Sequence, residues 1–246
     1  MSTIKTEILT YLNSFSEDIS RLIIDGRGIK VLPDLTRFKN LKELYCSDNK
    51  LKTLPALPQS LEILFCSGNK LTSLSDLPQN LKQVYFTSNQ LSSLPNLPQT
   101  LEELYCSDNK LTYLPNLPQN LVKLECCNNQ LSSLPNLPQN LKKLFCFDNK
   151  LTYLPILPEK ILYVIYWNNP VCTILDNDNN SLMLIKEKIK IVNNFRHLNY
   201  SLRFKKRFIK WLWKSREKQI MEKYHPKYLL ENLDDNADLD EFLNNW

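Results

Sequence analysis

A 20-residue unit is restated along the chain seven times between positions 32 and 173, most plainly at 94–113 as LPNLPQTLEELYCSDNKLTY. Its register is marked by Asn49, Asn69, Asn89, Asn109, Asn129, Asn149 and Asn169, which recur at one unbroken interval at the ninth place of L-x-x-L-x-C-x-x-N-x-L. A unit this short cannot bury its own leucines, so neighbours must stack and share one continuous core. The period therefore predicts a solenoid, and function has to be sought on its surfaces.

The array decays at both ends. Its first unit, residues 32–53, carries two extra residues, LPDLTRFKNLKEL against LPALPQSLEIL in the next. Before it lies a degenerate unit with Ile19, Leu22, Ile24 and Ile29 at the leucine places and Arg27 where asparagine is expected. The seventh unit, from Leu154, reads ILYVIYWNNPVCT in its second part and sets Pro170 and Val171 after its asparagine. Terminal units have one stacking partner and one face toward water, so such decay marks caps. The predicted organisation is an N-terminal helical cap over residues 1–18, a solenoid over 19–173, and a basic helical C-terminal cap with an acidic end over 174–246.

Within a unit each segment has a physical assignment. Leu101 to Cys106 alternates apolar and polar in its second half, which suits a short strand with Leu104 and Cys106 inward and Tyr105 outward. Successive strands form a parallel sheet. Asn109 follows the strand, where its amide can satisfy backbone groups of the turn and the adjacent unit. Leu-Pro-Asn-Leu-Pro at 114–118 is excluded from helix and central strand, because proline removes a donor and biases its predecessor toward extended geometry. The side opposite the sheet is thus expected to be extended and polyproline-like.

The pattern LPxLPxxLxxLxCxxNxL resembles the short bacterial-type leucine-rich repeat of effectors secreted by enteric pathogens. The match covers about 140 of 246 residues, and Ser75 replaces the first proline in one unit. The resemblance implies a leucine-rich repeat with a short parallel β-sheet on the concave face and extended convex segments. Some of those effectors carry a large C-terminal ubiquitin-ligase domain with a catalytic cysteine. Only positions 174–246 follow the last repeat here, too short a stretch for such a domain, so ligase activity is not carried over. The cysteine-bearing repeats and the ending MEKYHPKYLLENLDDNADLDEFLNNW are similar to leucine-rich repeat proteins of giant viruses of amoebae. The N-terminal segment lacks an apolar stretch long enough for a signal peptide, and nowhere do 18 apolar residues run together, which leads to the expectation of a soluble, intracellular, cytoplasmic monomer.

Five of the seven cysteines, Cys46, Cys66, Cys106, Cys126 and Cys146, hold one inward place, which Phe86 and Tyr166 take in other units. A place that accepts Cys or Phe is a packing place. Stacked strands set neighbouring Cα atoms about 4.8 Å apart, but with Cβ vectors side by side, so buried reduced thiols are expected rather than disulfides. Cys127 and Cys172 lie off this ladder, and no C-x-x-C with partner histidines occurs. No metal site and no cofactor is expected.

Beside the thiols, the outward fifth place reads Tyr45, Phe65, Tyr85, Tyr105, Glu125 and Phe145, with Phe147 and Trp167 two places further along their strands. Tyr45, Phe65, Tyr85, Tyr105, Phe145, Phe147 and Trp167 are the candidate partner-binding residues, since rows of aromatics anchor protein interfaces. Adjacent rings stacking across strands to stabilise the sheet is the alternative. Asp48, Asp108 and Asp148 flank the row as candidate partners for basic groups, and Lys50, Lys70, Lys110 and Lys150 serve solubility.

After residue 173 the period stops. DNDNN at 176–180 reads as a linker, and Ile185, Ile189, Val192 and Phe195, then Phe204, Phe208, Trp211 and Leu212, recur at helical spacing. Pro226 interrupts the pattern before a last short helix ending in Phe242 and Trp246. From Lys186 to Lys227 there are 14 basic and 3 acidic residues, whereas 228–246 holds 6 acidic residues and no basic one. The annex either caps the open end of the solenoid or uses its basic helices at 186–227 on nucleic acid or an anionic membrane surface. Nothing catalytic is expected. The two histidines, His197 and His225, lie outside any nucleophile motif, and the three glycines at 26, 28 and 68 build no phosphate-binding loop. The leading expectation is a non-catalytic scaffold for a protein partner, a host protein under the viral resemblance.

Overall fold

In the structure, a computed structural model, residues 3–175 and 181–223 are described. The linker at 176–180, His225, Pro226 and the last predicted helix lie outside the described residues. Helix α1 (Thr3–Asn13) precedes eight three-residue strands: β1 (Arg21–Ile23), β2 (Glu43–Tyr45), β3 (Ile63–Phe65), β4 (Gln83–Tyr85), β5 (Glu103–Tyr105), β6 (Lys123–Glu125), β7 (Lys143–Phe145) and β8 (Tyr163–Ile165). Helices α2 (Cys172–Leu175) and α3 (Leu182–Lys223) follow. The strands form one parallel sheet in sequence order, each joined to the next by one coil of chain. The degenerate unit supplies a full strand, with Leu22 opposite Leu44.

Why the coils stack is visible in any one of them. Leu101, Leu104, Cys106 and Leu111 are completely buried, and Leu114 and Leu117 nearly so. The amide of Asn109 then joins two units. Its Oδ1 accepts from the Leu91 N–H at 2.9 Å, and its Nδ2 donates to the carbonyls of Phe86 at 3.0 Å, Cys106 at 3.2 Å and Ser107 at 3.0 Å. Every asparagine of the ladder from Asn49 to Asn169 repeats this arrangement. A planar amide with donors on one end and an acceptor on the other satisfies groups that an apolar side chain would strand at about 1–3 kcal/mol each.

The eighth place of each unit is left-handed, which sequence reading passed over. Gly26, Asp48, Gly68, Ser88, Asp108, Asn128, Asp148 and Asn168 all have φ between 50° and 64°. The chain must turn sharply after each strand, and glycine or short polar residues tolerate that conformation. Asp48, Asp108 and Asp148, expected to flank the aromatic row as partners for basic groups, stand at this left-handed place. Asp108 and Asp148 also accept hydrogen bonds from Asn128 and Asn168 of the following units.

Both ends of the core are covered. Ile8 and Leu12 of α1 belong to it, with Tyr11 and Phe15 packed against it. At the other end Val171, Leu175 and Ile189 are buried, and Leu182, Ile185 and Val192 pack alongside. Polar contacts hold this cover: Asn193 Nδ2 donates to the Leu154 carbonyl at 3.0 Å and Lys186 Nζ to that of Glu159 at 3.1 Å. The chain divides into two compact units, Met1–Asn193 and Asn194–Trp246, with the boundary inside α3. Among the described residues of the first compact unit, the solenoid end is covered by Val171, Leu175, Leu182, Ile185, Ile189 and Val192, all but the first of them within the stretch expected to cap it.

Candidate protein-interaction face

Alternation along each strand sends the fourth place into the core and the fifth outward, so parallel pairing in identical register brings fifth-place residues of successive units side by side. Tyr45, Phe65, Tyr85 and Tyr105 consequently stack as one continuous ladder, with ring centroids 4.7, 4.0 and 4.2 Å apart and planes within 12° of parallel. All four are half-buried, because each ring covers its neighbour. The stacking read from sequence as the alternative to an interface is therefore present, and it does not consume the whole face.

At Glu125 the ladder ends. Lys123 Nζ pairs with the Glu125 carboxylate at 2.8 Å and lies over two rings, 4.5 Å from the centroid of Tyr105 and 5.7 Å from that of Phe145. Phe145 is half-buried and stands apart from the four-ring stack. Beyond it the aromatics move to the seventh place, where Phe147 and Trp167 stack at 4.4 Å and 9°. The seven candidate residues thus fall into a four-ring ladder, a single cation-covered ring and a separate pair. Trp167 is 48% exposed, and Leu162 and Tyr163 near it in sequence are each 59% exposed.

Carboxylates anchor the polar ends of Tyr45 and Tyr105. Tyr45 donates to Glu43 Oε2 at 3.0 Å, and Arg21 grips the same carboxylate through Nε at 2.7 Å and Nη2 at 3.1 Å. The Arg21 hydrogen bond holds the Glu43 carboxyl below its ordinary range, with help from Tyr45. Tyr105 donates to Glu103 at 2.7 Å. Burial among the rings pushes the Tyr105 phenol up to about 12, and the Glu103 carboxylate adds to that rise. Tyr85, between two rings, is raised further for the same first reason, burial.

Sequence reading also missed two rows that border the rings. At the second place Lys42 and Lys82 both donate to Glu62, at 2.5 and 2.8 Å, and these hydrogen bonds hold the Glu62 carboxyl down to about 2. The signal was legible as an alternation Lys42, Glu62, Lys82, Glu102 at the repeat spacing. At the seventh place Ser47, Ser67, Thr87 and Ser107 form a row of hydroxyl side chains beside the ladder.

The thiols sit behind this face. Cys46, Cys66, Cys106, Cys126 and Cys146 are fully buried, Cys127 is nearly so, and all seven cysteines are free. Burial raises the thiols of Cys66, Cys106, Cys126 and Cys146 far above the ordinary range, so they hold their protons at neutral pH. Among the described residues no group of three or more His, Cys, Asp or Glu side chains could hold a metal ion.

One parallel sheet, coils one repeat long and an asparagine ladder define a leucine-rich-repeat solenoid. Family models agree: Leucine Rich repeats (2 copies) matches residues 39–79, and Leucine Rich Repeat matches residues 100–121. Among solved structures the chain is similar to YopM from Yersinia enterocolitica WA-314, at 37% identity and a TM-score of 0.61, over 63% of this chain and 34% of that one. It is similar also to YopM, a leucine-rich effector protein from Yersinia pestis, at 38% identity and a TM-score of 0.56, over 61% and 43% of the two chains. A Shigella effector leucine-rich-repeat domain matches at 27% identity and a TM-score of 0.55, over 73% of this chain and 82% of that domain. The chain spans less than half the length of either YopM protein it matches. No curated protein matches it in sequence.

Proposed function

We propose that this chain is a non-catalytic scaffold that binds a protein partner on the outward face of its repeat sheet. The observation that carries the reading is the set of stacked rings, which present aromatic area already held in place and end in the half-exposed Trp167. Side chains ordered before binding lose little further freedom on contact, and aromatic residues dominate the energetics of protein interfaces. The bordering serines, threonine and ion pairs supply a polar rim of the kind such interfaces have. Seven free thiols suit a reducing compartment, which favours action inside a cell. Under the resemblance to repeat proteins of giant viruses, the partner is a host protein.

Trp167 is the ring to test, because it is stacked on Phe147 and half-exposed, whereas Tyr85 is stacked on both sides. Replacing Trp167 with Ser is expected to lower affinity for partners recovered by pull-down at least about 30-fold, the effect of losing an interface anchor of about 2 kcal/mol. Thermal unfolding of the variant should stay close to that of the parent. Partners retained at full affinity by both Trp167→Ser and a combined Tyr45→Ser, Phe145→Ser variant that remains folded would sink the proposal.

A further inference from the structure

Four cations along the repeat sheet are paired with carboxylates where they stand. Arg21 is paired with Glu43, Lys42 and Lys82 with Glu62, and Lys123 with Glu125. Helix α3 is different. From Arg203 to Lys210 it reads RFKKRFIK, with five cations and no carboxylate. Arg203, Lys206, Arg207 and Lys210 follow one another at i, i+3, i+4 and i+7, so they share one side of the helix. All four are exposed, as is Lys205, and none is in an ion pair among the described residues. A row of like charges spaced by single helical turns repels itself unless an anionic surface faces it.

Aromatic residues accompany the row. Phe204 is 70% exposed, and Phe208, Trp211 and Leu212 follow it in sequence at the spacing of one helix side. Cations on one side with large apolar residues beside them describe a helix that lies in the plane of a lipid surface, its cations on the headgroups and its rings at the acyl boundary. A helix that tracks the phosphates of a duplex uses its cations and hydrogen-bonding groups, and an exposed Phe204 adds nothing to that contact. Stacking of single-stranded bases on such a ring is the competing use, and it is one arm of the test. None of the described helices is long and apolar enough to cross a membrane, so the geometry is that of lying on the surface.

We propose that the second half of α3 binds an anionic lipid surface, with Arg203, Lys206, Arg207 and Lys210 on the headgroups and Phe204 inserted at the acyl boundary. This site belongs to the second compact unit and is independent of the partner face on the repeat sheet.

The test is co-sedimentation of the full chain with vesicles of phosphatidylcholine alone and of phosphatidylcholine mixed with phosphatidylserine. Binding is expected only to the anionic vesicles, and it should weaken as salt rises from about 0.1 M to about 1 M and the Debye length falls from about 10 Å to about 3 Å. Each cation at such a surface strengthens partitioning about fivefold, so changing Arg203, Lys206, Arg207 and Lys210 together to Gln should weaken it several hundredfold. A control that removes the same charge from the solenoid, with Lys50, Lys70, Lys110 and Lys150 changed to Gln, should leave binding within about fivefold, the effect of one cation. Phe204→Ser, which keeps every charge, should remove the part of binding that survives high salt. Equal binding to neutral vesicles, equal loss in the two quadruple variants, or no binding to anionic vesicles at low salt would overturn the proposal. So would tighter binding to double-stranded DNA or single-stranded RNA than to the anionic vesicles, which would assign the row to phosphate backbones instead.

Discussion

One asparagine in each of the seven units, and an inward thiol in five of them, meet much of the polar and packing demand inside this solenoid. The asparagine side chain satisfies backbone donors and acceptors of two coils at once, and the inward cysteine fills a space that Phe86 fills in another unit. The thiols also make stability depend on pH. Cys126 is fully buried, and its pKa is raised well above the ordinary 9.0, first by burial and then by its thiol neighbours. Below pH 9 the folded and unfolded chains both keep this proton, so the stabilisation is complete. Above it the unfolded chain releases a proton that the folded chain retains, and stability is lost at about 1.4 kcal/mol per pH unit for each such group. Cys106 and Cys146, raised likewise by burial, add to the slope. Under reducing conditions the melting temperature is therefore expected to fall as pH rises above about 9. Cys126→Ala should give a shallower fall whatever its effect at neutral pH, and parallel pH profiles for the two proteins would contradict the assignment.

Between elements, the irregular pieces carry the specific contacts. The two extra residues of the first unit let Phe38 become fully buried and place Arg37 against α1. The Arg37 guanidinium donates from Nη2 to the Leu12 backbone carbonyl at 2.6 Å, near the C-terminal end of α1, and from Nη1 to the Asn13 side-chain Oδ1 at 2.9 Å. Arg27, standing where an asparagine is expected, instead lays its guanidinium over the Tyr11 ring at 4.0 Å. The insertion is thus a clamp on the N-terminal cap. Arg37→Ala is expected to raise hydrogen exchange of the α1 amides about tenfold, the result of losing about 1.4 kcal/mol of charged hydrogen bonding. Amides in the central units should be unaffected. Unchanged exchange in α1 would show that Ile8 and Leu12 hold the helix without the clamp.

For the molecule as a whole, the question is where the repeat array ends. A solenoid is stable only when its last coil is covered, because each unit contacts only its neighbours and the terminal one has a bare side. Here the cover consists of Val171, Leu175, Leu182, Ile185, Ile189 and Val192, held by Asn193 on the Leu154 carbonyl. A chain ending at Asn193 is accordingly expected to unfold at nearly the same temperature as the full protein. One ending at Thr173, where the period stops, should unfold earlier and scatter light as it aggregates through the exposed last coil. Equal melting of the two truncated chains would place the closing residues before 173 and defeat this reading.

What repeats is legible in the amino-acid sequence alone. The period, the leucine places, the asparagine register and the inward cysteines all follow from one contact pattern, made between each unit and the next in identical register. A pattern repeated seven times identifies itself. The list of outward aromatics was legible for the same reason, because alternation along a strand is local. Their state was not, since whether rings cover one another depends on strand spacing and on neighbours a full coil away. Only the folded sheet made Tyr45, Phe65, Tyr85 and Tyr105 one stack, set Lys123 over Tyr105, and moved the row to Phe147 and Trp167 beyond Glu125. The clamp of Arg37 was equally out of reach, and of the expected cap at the other end only the structure supplied the contacts, with Val171, Leu175 and Ile189 in the core and Asn193 on the Leu154 carbonyl. Each is made once, between segments with no periodic counterpart, and tertiary structure alone decides which single contacts of that kind are formed.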